Sequence, residues 1–167
     1  MAAENLLGSR VMTGLDASPQ ERAAPGVAGG VVKVWQETVE VTAAAEANST
    51  YLLARLPSNV RILSQSTLHW DDLDGAGAPT LDIGCFNVGS ETNFTDDADA
   101  LNDALDPTSA GSGNVLKTVA QFGIPLWDNI ASVTEDPQCL VDVKVSLVDA
   151  AGSLGGTLYI ELFYTVN

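Results

Sequence analysis

A chain of 167 residues that carries one histidine has a narrow choice for acid-base chemistry, because any imidazole step would have to run through His69. The acids nearest to it in sequence are Asp71, Asp72 and Asp74. A Ser/His/Asp set would also need a serine presented on a sharp turn, and no Gly-x-Ser-x-Gly stretch occurs. Glycoside hydrolysis needs two carboxyl groups at a fixed separation across the sugar. The loop acids Asp96, Asp97, Asp99 and Asp103 supply candidates, but 22 acidic residues make any one pair arbitrary, and acids of this kind are ordinarily solvated. Trp35, Trp70 and Trp127 could stack on sugar rings, yet each sits in a strand-like pattern that reads as core. The run Asp71-Asp72-Leu73-Asp74-Gly75 offers hard oxygens for calcium, but without the spacing or the distal glutamate of an EF-hand it reads as an acidic turn. Cys85 and Cys139 lie in apolar surroundings and are read as buried free thiols, with a disulfide between them as the alternative. Glycine-rich phosphate loops are absent. This inventory predicts a protein that is not an enzyme and takes no cofactor and no metal.

Charge narrows the partners. With 22 acidic against 7 basic residues, the net charge of −15 repels phosphate backbones and anionic bilayers, so neither nucleic acid nor membrane is expected as a partner. No apolar stretch approaches the ~20 residues of a membrane helix, and the N-terminus lacks the pattern of a secretory signal.

The elements that would position these residues fall into two parts, an extended N-terminal arm at 1–30 and a β-domain at 31–167. The arm contains Pro19, Pro25 and a Gly/Ala cluster ending in Gly29 and Gly30, without sustained periodicity. Within it Leu6, Leu7, Arg10, Val11 and Met12 form a short apolar and cationic stretch that could dock on a partner, a disordered tail being the plainer alternative.

From Val31 onward the pattern is strand and turn. Val32 and Val34 share one parity while Val39 and Val41 share the other, which predicts a bulge or break near Trp35. A second strand covers 50–56 and ends at Pro57, and a third runs from Val60 to Trp70 with His69 on its polar face. Leu81, Ile83 and Cys85 alternate with Thr80, Asp82 and Gly84, which predicts a half-buried strand. Thr95 before Asp96 and Asp97, then Ala98, Leu101 and Leu105 at helical spacing, predict a short helix inside a long surface excursion from 93 to 114. Two further strands are expected at 115–122 and 124–130. The clearest alternation comes last, at Val141 to Leu147 and Leu158 to Val166, where a glycine turn predicts a hairpin. The resulting fold class is all-β, an antiparallel β-sandwich that is jelly-roll-like. On the last strand Tyr159 and Phe163 point away from Leu158, Ile160 and Leu162, so a second apolar face is left for the second sheet's rim, the long loop of residues 86–114 or a neighbouring subunit to cover.

Several of these stretches carry a family likeness: the Gly-Pro-Ala arm, the run from Leu53 to Ile62, Leu81-Asp82-Ile83-Gly84, the Asp-Ala-Asp-Ala-Leu stretch at 97–101, and the Gly-Gly-Thr-Leu-Tyr-Ile ending. Taken in order, they span most of the chain, and it resembles the decoration (cement) proteins of tailed-phage heads, marine-phage types in particular. The resemblance implies a virion protein, made in the bacterial cytoplasm, that binds the major capsid protein on the capsid exterior. It also implies a homotrimer over threefold or quasi-threefold lattice positions, with arms reaching adjacent shell subunits. On that reading Leu6, Leu7, Arg10, Val11 and Met12 contact the capsid, and Tyr159 and Phe163 form the subunit interface. Alternatives are a carbohydrate-binding or host-recognition sandwich, a hydrolase with a carboxylate pair, and a tail or fibre subunit.

Overall fold

A computed structural model of the protein describes residues 30–42, 45, 47–73, 79–148 and 155–166. The expected arm therefore lies outside the described residues except for Gly30, as does Asp74. Nine strands are described: β1 (Val32–Val41), β2 (Thr50–Pro57), β3 (Arg61–Ile62), β4 (Thr67–Trp70), β5 (Thr80–Phe86), β6 (Asp97–Leu105), β7 (Gly111–Asn114), β8 (Leu140–Val148) and β9 (Gly156–Thr165). They form two antiparallel sheets. Sheet I has the order β1-β9-β4-β7, with β3 also paired to β9, and sheet II has the order β2-β8-β5-β6.

Chain neighbours β1 and β2, β4 and β5, β6 and β7, and β8 and β9 lie in opposite sheets, while β1 pairs β9 and β2 pairs β8. A long antiparallel ribbon rolled over on itself gives this connectivity, and it is a jelly-roll arrangement of one five-stranded and one four-stranded sheet. The expected all-β sandwich is therefore what the chain adopts.

The alternation of apolar residues explains the layers. Val141, Val143, Val145 and Leu147 of β8 and Leu158, Ile160 and Leu162 of β9 are wholly buried between the sheets. Each such side chain contributes roughly 1.5–3 kcal/mol of transfer free energy. Leu81, Ile83, Cys85, Leu68 and Trp70 extend the same layer. Val115, Leu116, Leu126 and Ile130, from the irregular segment between β7 and β8, join the same core.

Several expectations are corrected. β1 has no bulge, since its pairing with β9 runs unbroken from Val32 opposite Thr165 to Val41 opposite Gly156. The change of parity marks instead a strand whose first valines face outward and whose last ones face the core. The bulge lies in β2, between Leu52 and Ala54. The single strand expected at 60–70 is broken into β3 and β4. At the break the Ser66 hydroxyl accepts from Phe163 N at 2.9 Å and donates to Phe163 O at 3.2 Å, standing in for the missing strand. The expected helix at 95–105 is a strand, β6. An unpaired edge on β5 outweighs a weak local helix preference, because burying Leu101 and pairing the backbone stabilises more than capping one turn. The excursion before it is shorter than expected and is held by Asn87, whose amide bonds Phe94 O, Asp96 Oδ1 and Asn93 N. The strands expected at 115–122 and 124–130 are instead 3-10 turns at Val119–Gln121 and Leu126–Asn129, in a proline- and glycine-punctuated segment. Finally, β8 and β9 are not a hairpin, because they sit at the centres of opposite sheets.

Gly84 shows why β6 can approach. A Cβ at this position would stand 2.3 Å from Asp97 O and 2.4 Å from Ala98 O, both rigid backbone. Gly84→Ala should therefore cost about 1–3 kcal/mol by overpacking and loosen β6 selectively, read as a lower urea midpoint and faster amide exchange over 97–105. Ser66→Ala leaves the half-buried Phe163 N–H without its acceptor and should cost about 1–3 kcal/mol in the same denaturation assay.

Candidate interaction surface

The structure disperses the groups that could do chemistry. His69 is exposed on β4, as its parity predicted, with Nε2 3.1 Å from Thr67 Oγ1 and its ring 5.8 Å from that of Tyr159. Asp71 turns away to accept from Thr157 N. The loop acids also diverge: Asp96 binds Asn87, Asp97 accepts from Ala131 N at 2.9 Å, and Asp103 pairs with Lys117. Among the described residues no group of His, Cys, Asp or Glu is arranged to hold a metal ion.

One open cleft of about 570 Å³ is lined by Pro57, Ser58, Asn59, Asp136, Gln138, Cys139 and Leu140. Ser58 donates to Asp136 Oδ1 at 2.5 Å, and the same oxygen accepts from Gln138 N. A serine activated for attack needs a stronger base than a carboxylate that is already committed to a turn. Cys139, half-buried beside this cleft, has its thiol pKa pushed up by burial and by the negative charges of Glu91 and Asp136, which keeps it a weak nucleophile. Cys85 is wholly buried and its pKa is raised further by the same cause. Both thiols are free, as expected, although Cys139 is less buried than anticipated.

The apolar groups that remain at the surface are more coherent. Val31, Val32 and Val34 are 76%, 49% and 51% exposed at the start of β1. In the β1–β9 register Val34 is opposite Phe163 and Val32 opposite Thr165, so Val32, Val34 and Phe163 form one patch on the outer face of sheet I. Tyr159 lies on the same face, between Thr38 of β1 and His69 of β4. Tyr159 and Phe163 are thus brought together on one half-buried face, while Leu6, Leu7, Arg10, Val11 and Met12 lie outside the described residues.

Below this edge a second feature opens, a groove of about 230 Å³ lined by Trp35, Glu37, Leu52, Leu53, Ala54 and Arg55. The bulge in β2 turns Leu53 O toward sheet I, where it accepts from Trp35 Nε1 at 2.8 Å and ties the two sheet edges together. Leu52 is left exposed on the rim. Arg55 is fixed by a forked pair of bonds to the buried Asp142. The residues missed in the sequence reading are Val32, Val34 and Leu52. The parity change along β1 was the signal for the two valines, since it places the early valines and the late ones on opposite faces of an unbroken strand.

No family model and no curated protein matches the chain. Among solved structures, the chain is similar to one in the capsid asymmetric unit of cyanophage Pam1, at 21% identity and a TM-score of 0.55, over 90% of this chain and 96% of that one. This likeness shows a shared fold, and near-complete coverage on both sides means the two chains are similar in length. A chain of the acid-stable capsid structure of Helicobacter pylori bacteriophage KHP30 is 14% identical, with a TM-score of 0.37, over 80% of this chain and 87% of that one, and adds nothing to the first. Among the described residues no helix is long and apolar enough to cross a membrane.

The carboxyl pKa of Asp97 is pushed up, chiefly by burial and further by Asp99, against the opposing bond from Ala131. A folded-state pKa above the unfolded one means that stability is lost as pH rises through the folded value, where the ionised group bears its desolvation. Asp97→Asn keeps an oxygen for Ala131 N and should raise the melting temperature at pH 7, with the gain shrinking toward pH 3, in thermal melts of both proteins.

Proposed function

We propose that this chain is a virion structural protein that sits on the outer surface of a phage head and stabilises the major capsid lattice by bridging neighbouring subunits, acting as a trimer and by binding instead of catalysis. The observation that carries this reading is the jelly-roll shared nearly end to end with a chain of the Pam1 capsid asymmetric unit. Charge supports the outer position: a surface with a net −15 is repelled by packaged nucleic acid and is best placed on the side of the shell facing away from it.

The mechanism is burial and multivalency. The apolar face of Tyr159 and Phe163 meets a neighbouring copy, and residues 6–12 of the arm reach the capsid. Apolar area removed from water contributes roughly 25 cal/mol per Å², and joining three copies raises the effective concentration of each arm at its site. Clamps that span capsid subunits then oppose the outward push of compacted genome.

The test is to image purified heads carrying the labelled protein, with a regular external pattern expected. In the full chain, replacing Leu6, Leu7, Arg10, Val11 and Met12 together with serine should lower head occupancy by roughly tenfold or more with circular dichroism unchanged. Absence from heads, or occupancy equal to that of the natural chain, would overturn respectively the location and the role of the arm.

A further inference from the structure

β1 is the outermost strand of sheet I, ten residues long, and among the described residues its outward edge has no backbone partner. Such an edge is a template for another strand unless something blocks it. Natural edges are often blocked by inward-pointing charges, and β1 carries two: Lys33 and Glu37 share the inner face with Trp35, opposite Tyr164, Ile160 and Leu162 of β9. Neither has an ion-pair partner among the described residues. Four residues along a strand separates them by ~13 Å, too far to pair within one copy.

The geometry points to a second copy of this chain as the occupant of the edge, paired antiparallel through β1 about a twofold axis at Trp35. A twofold normal to the sheet keeps both inner faces on one side, and directly opposed residues share a face. The axis must therefore pass through a residue position, which limits the choice. Centred on Lys33 or on Glu37, the pairing sets like charges opposite each other. Centred on Val34 or Gln36, it sets Trp35 of one copy against a charge of the other. Centred on Trp35, it places Lys33 of each copy opposite Glu37 of the other, twice, and the two Trp35 rings side by side between them.

Outside this pair, on the opposite face, the same register sets Val34 against Gln36 and Val32 against Thr38 of the second copy, which covers valines that are otherwise about half exposed. The groove beneath Trp35, with Glu37 on its wall, supplies room for the second indole and the second lysine. Opposite charges facing across an antiparallel pair stabilise it and like charges weaken it, so register and partner are specified by the same four side chains. The contact uses the edge of sheet I and leaves Tyr159 free, so it does not depend on attachment to a phage head and is compatible with threefold assembly.

Sedimentation velocity on the full chain tests this. The natural protein should associate through pairs, as twos, or as sixes if it also trimerises. Lys33→Glu and Glu37→Lys, made singly, should each weaken pairing tenfold or more, and the double exchange should restore it, all with unchanged circular dichroism. Mixing Val34→Cys with Gln36→Cys protein under mild oxidation should give a cross-linked pair, which neither gives alone. Association unaffected by the single changes, failure of the double exchange to restore it, or pairing seen only after adding phage heads would overturn the proposal. Head occupancy measured on the same variants separates this outcome from failure of the capsid reading.

Discussion

The structure depends on the two central strands, β8 and β9, and on the burial of every second residue along them. Because they lie in opposite sheets with their wholly buried valines, leucines and isoleucine turned inward, they form the dry layer on which the other strands assemble. β9 is the more demanding of the two. It pairs with β1 on one side and with both β3 and β4 on the other, and at the gap between these two its Phe163 N–H donates to a side chain, Ser66 Oγ, while Phe163 O accepts from Leu63 N and Ser66 Oγ. A wholly buried hydroxyl that is both donor and acceptor at this point keeps an interrupted sheet from exposing unpaired polar groups to the core.

The same architecture leaves apolar surface where sheet I ends. Val32 and Val34 lie outside the sandwich because their parity on the unbroken β1 puts them on the outer face of sheet I, while Trp35, Val39 and Val41, on the other parity, pack toward the core. The bulge at Leu53 and the indole bond from Trp35 bind the two edges together without closing the groove between them. Several carboxylates, in contrast, are committed to holding the backbone: Asp96, Asp97 and Asp136 accept from loop amides, while Asp103 pairs with Lys117 and Asp142 with Arg55 of the neighbouring strand. What the described residues display together is apolar surface, at the start of β1 and on the rim of the groove beneath Trp35.

Where the sequence was legible, a single period governed both local and tertiary structure. The alternation in 141–147 and 158–166 located β8 and β9, and the parity of Ile62, Leu68 and Trp70 put His69 on the outside, because a strand with one buried face has no other way to bury it. It failed where a tertiary partner outbid a local signal. Ala98, Leu101 and Leu105 had helical spacing and an N-cap ahead of them, yet an open edge on β5, made approachable by Gly84, drew the segment into a strand. Glycines between β8 and β9 suggested a hairpin, although each strand had stronger partners in a different sheet. For the interaction surface, Tyr159 and Phe163 were legible from their parity on β9, whereas Leu52 was not, because its exposure follows from a bulge with no local signature.

By itself, then, the sequence determined the class of fold, the identity of most core residues and the sign of the surface charge, all of which follow from composition and from a period of two that each segment carries on its own. Tertiary structure alone decided which strands pair, where a strand breaks and which valines stay in water. Those outcomes depend on competition among edges far apart in the chain, and no single segment encodes the partner it will meet.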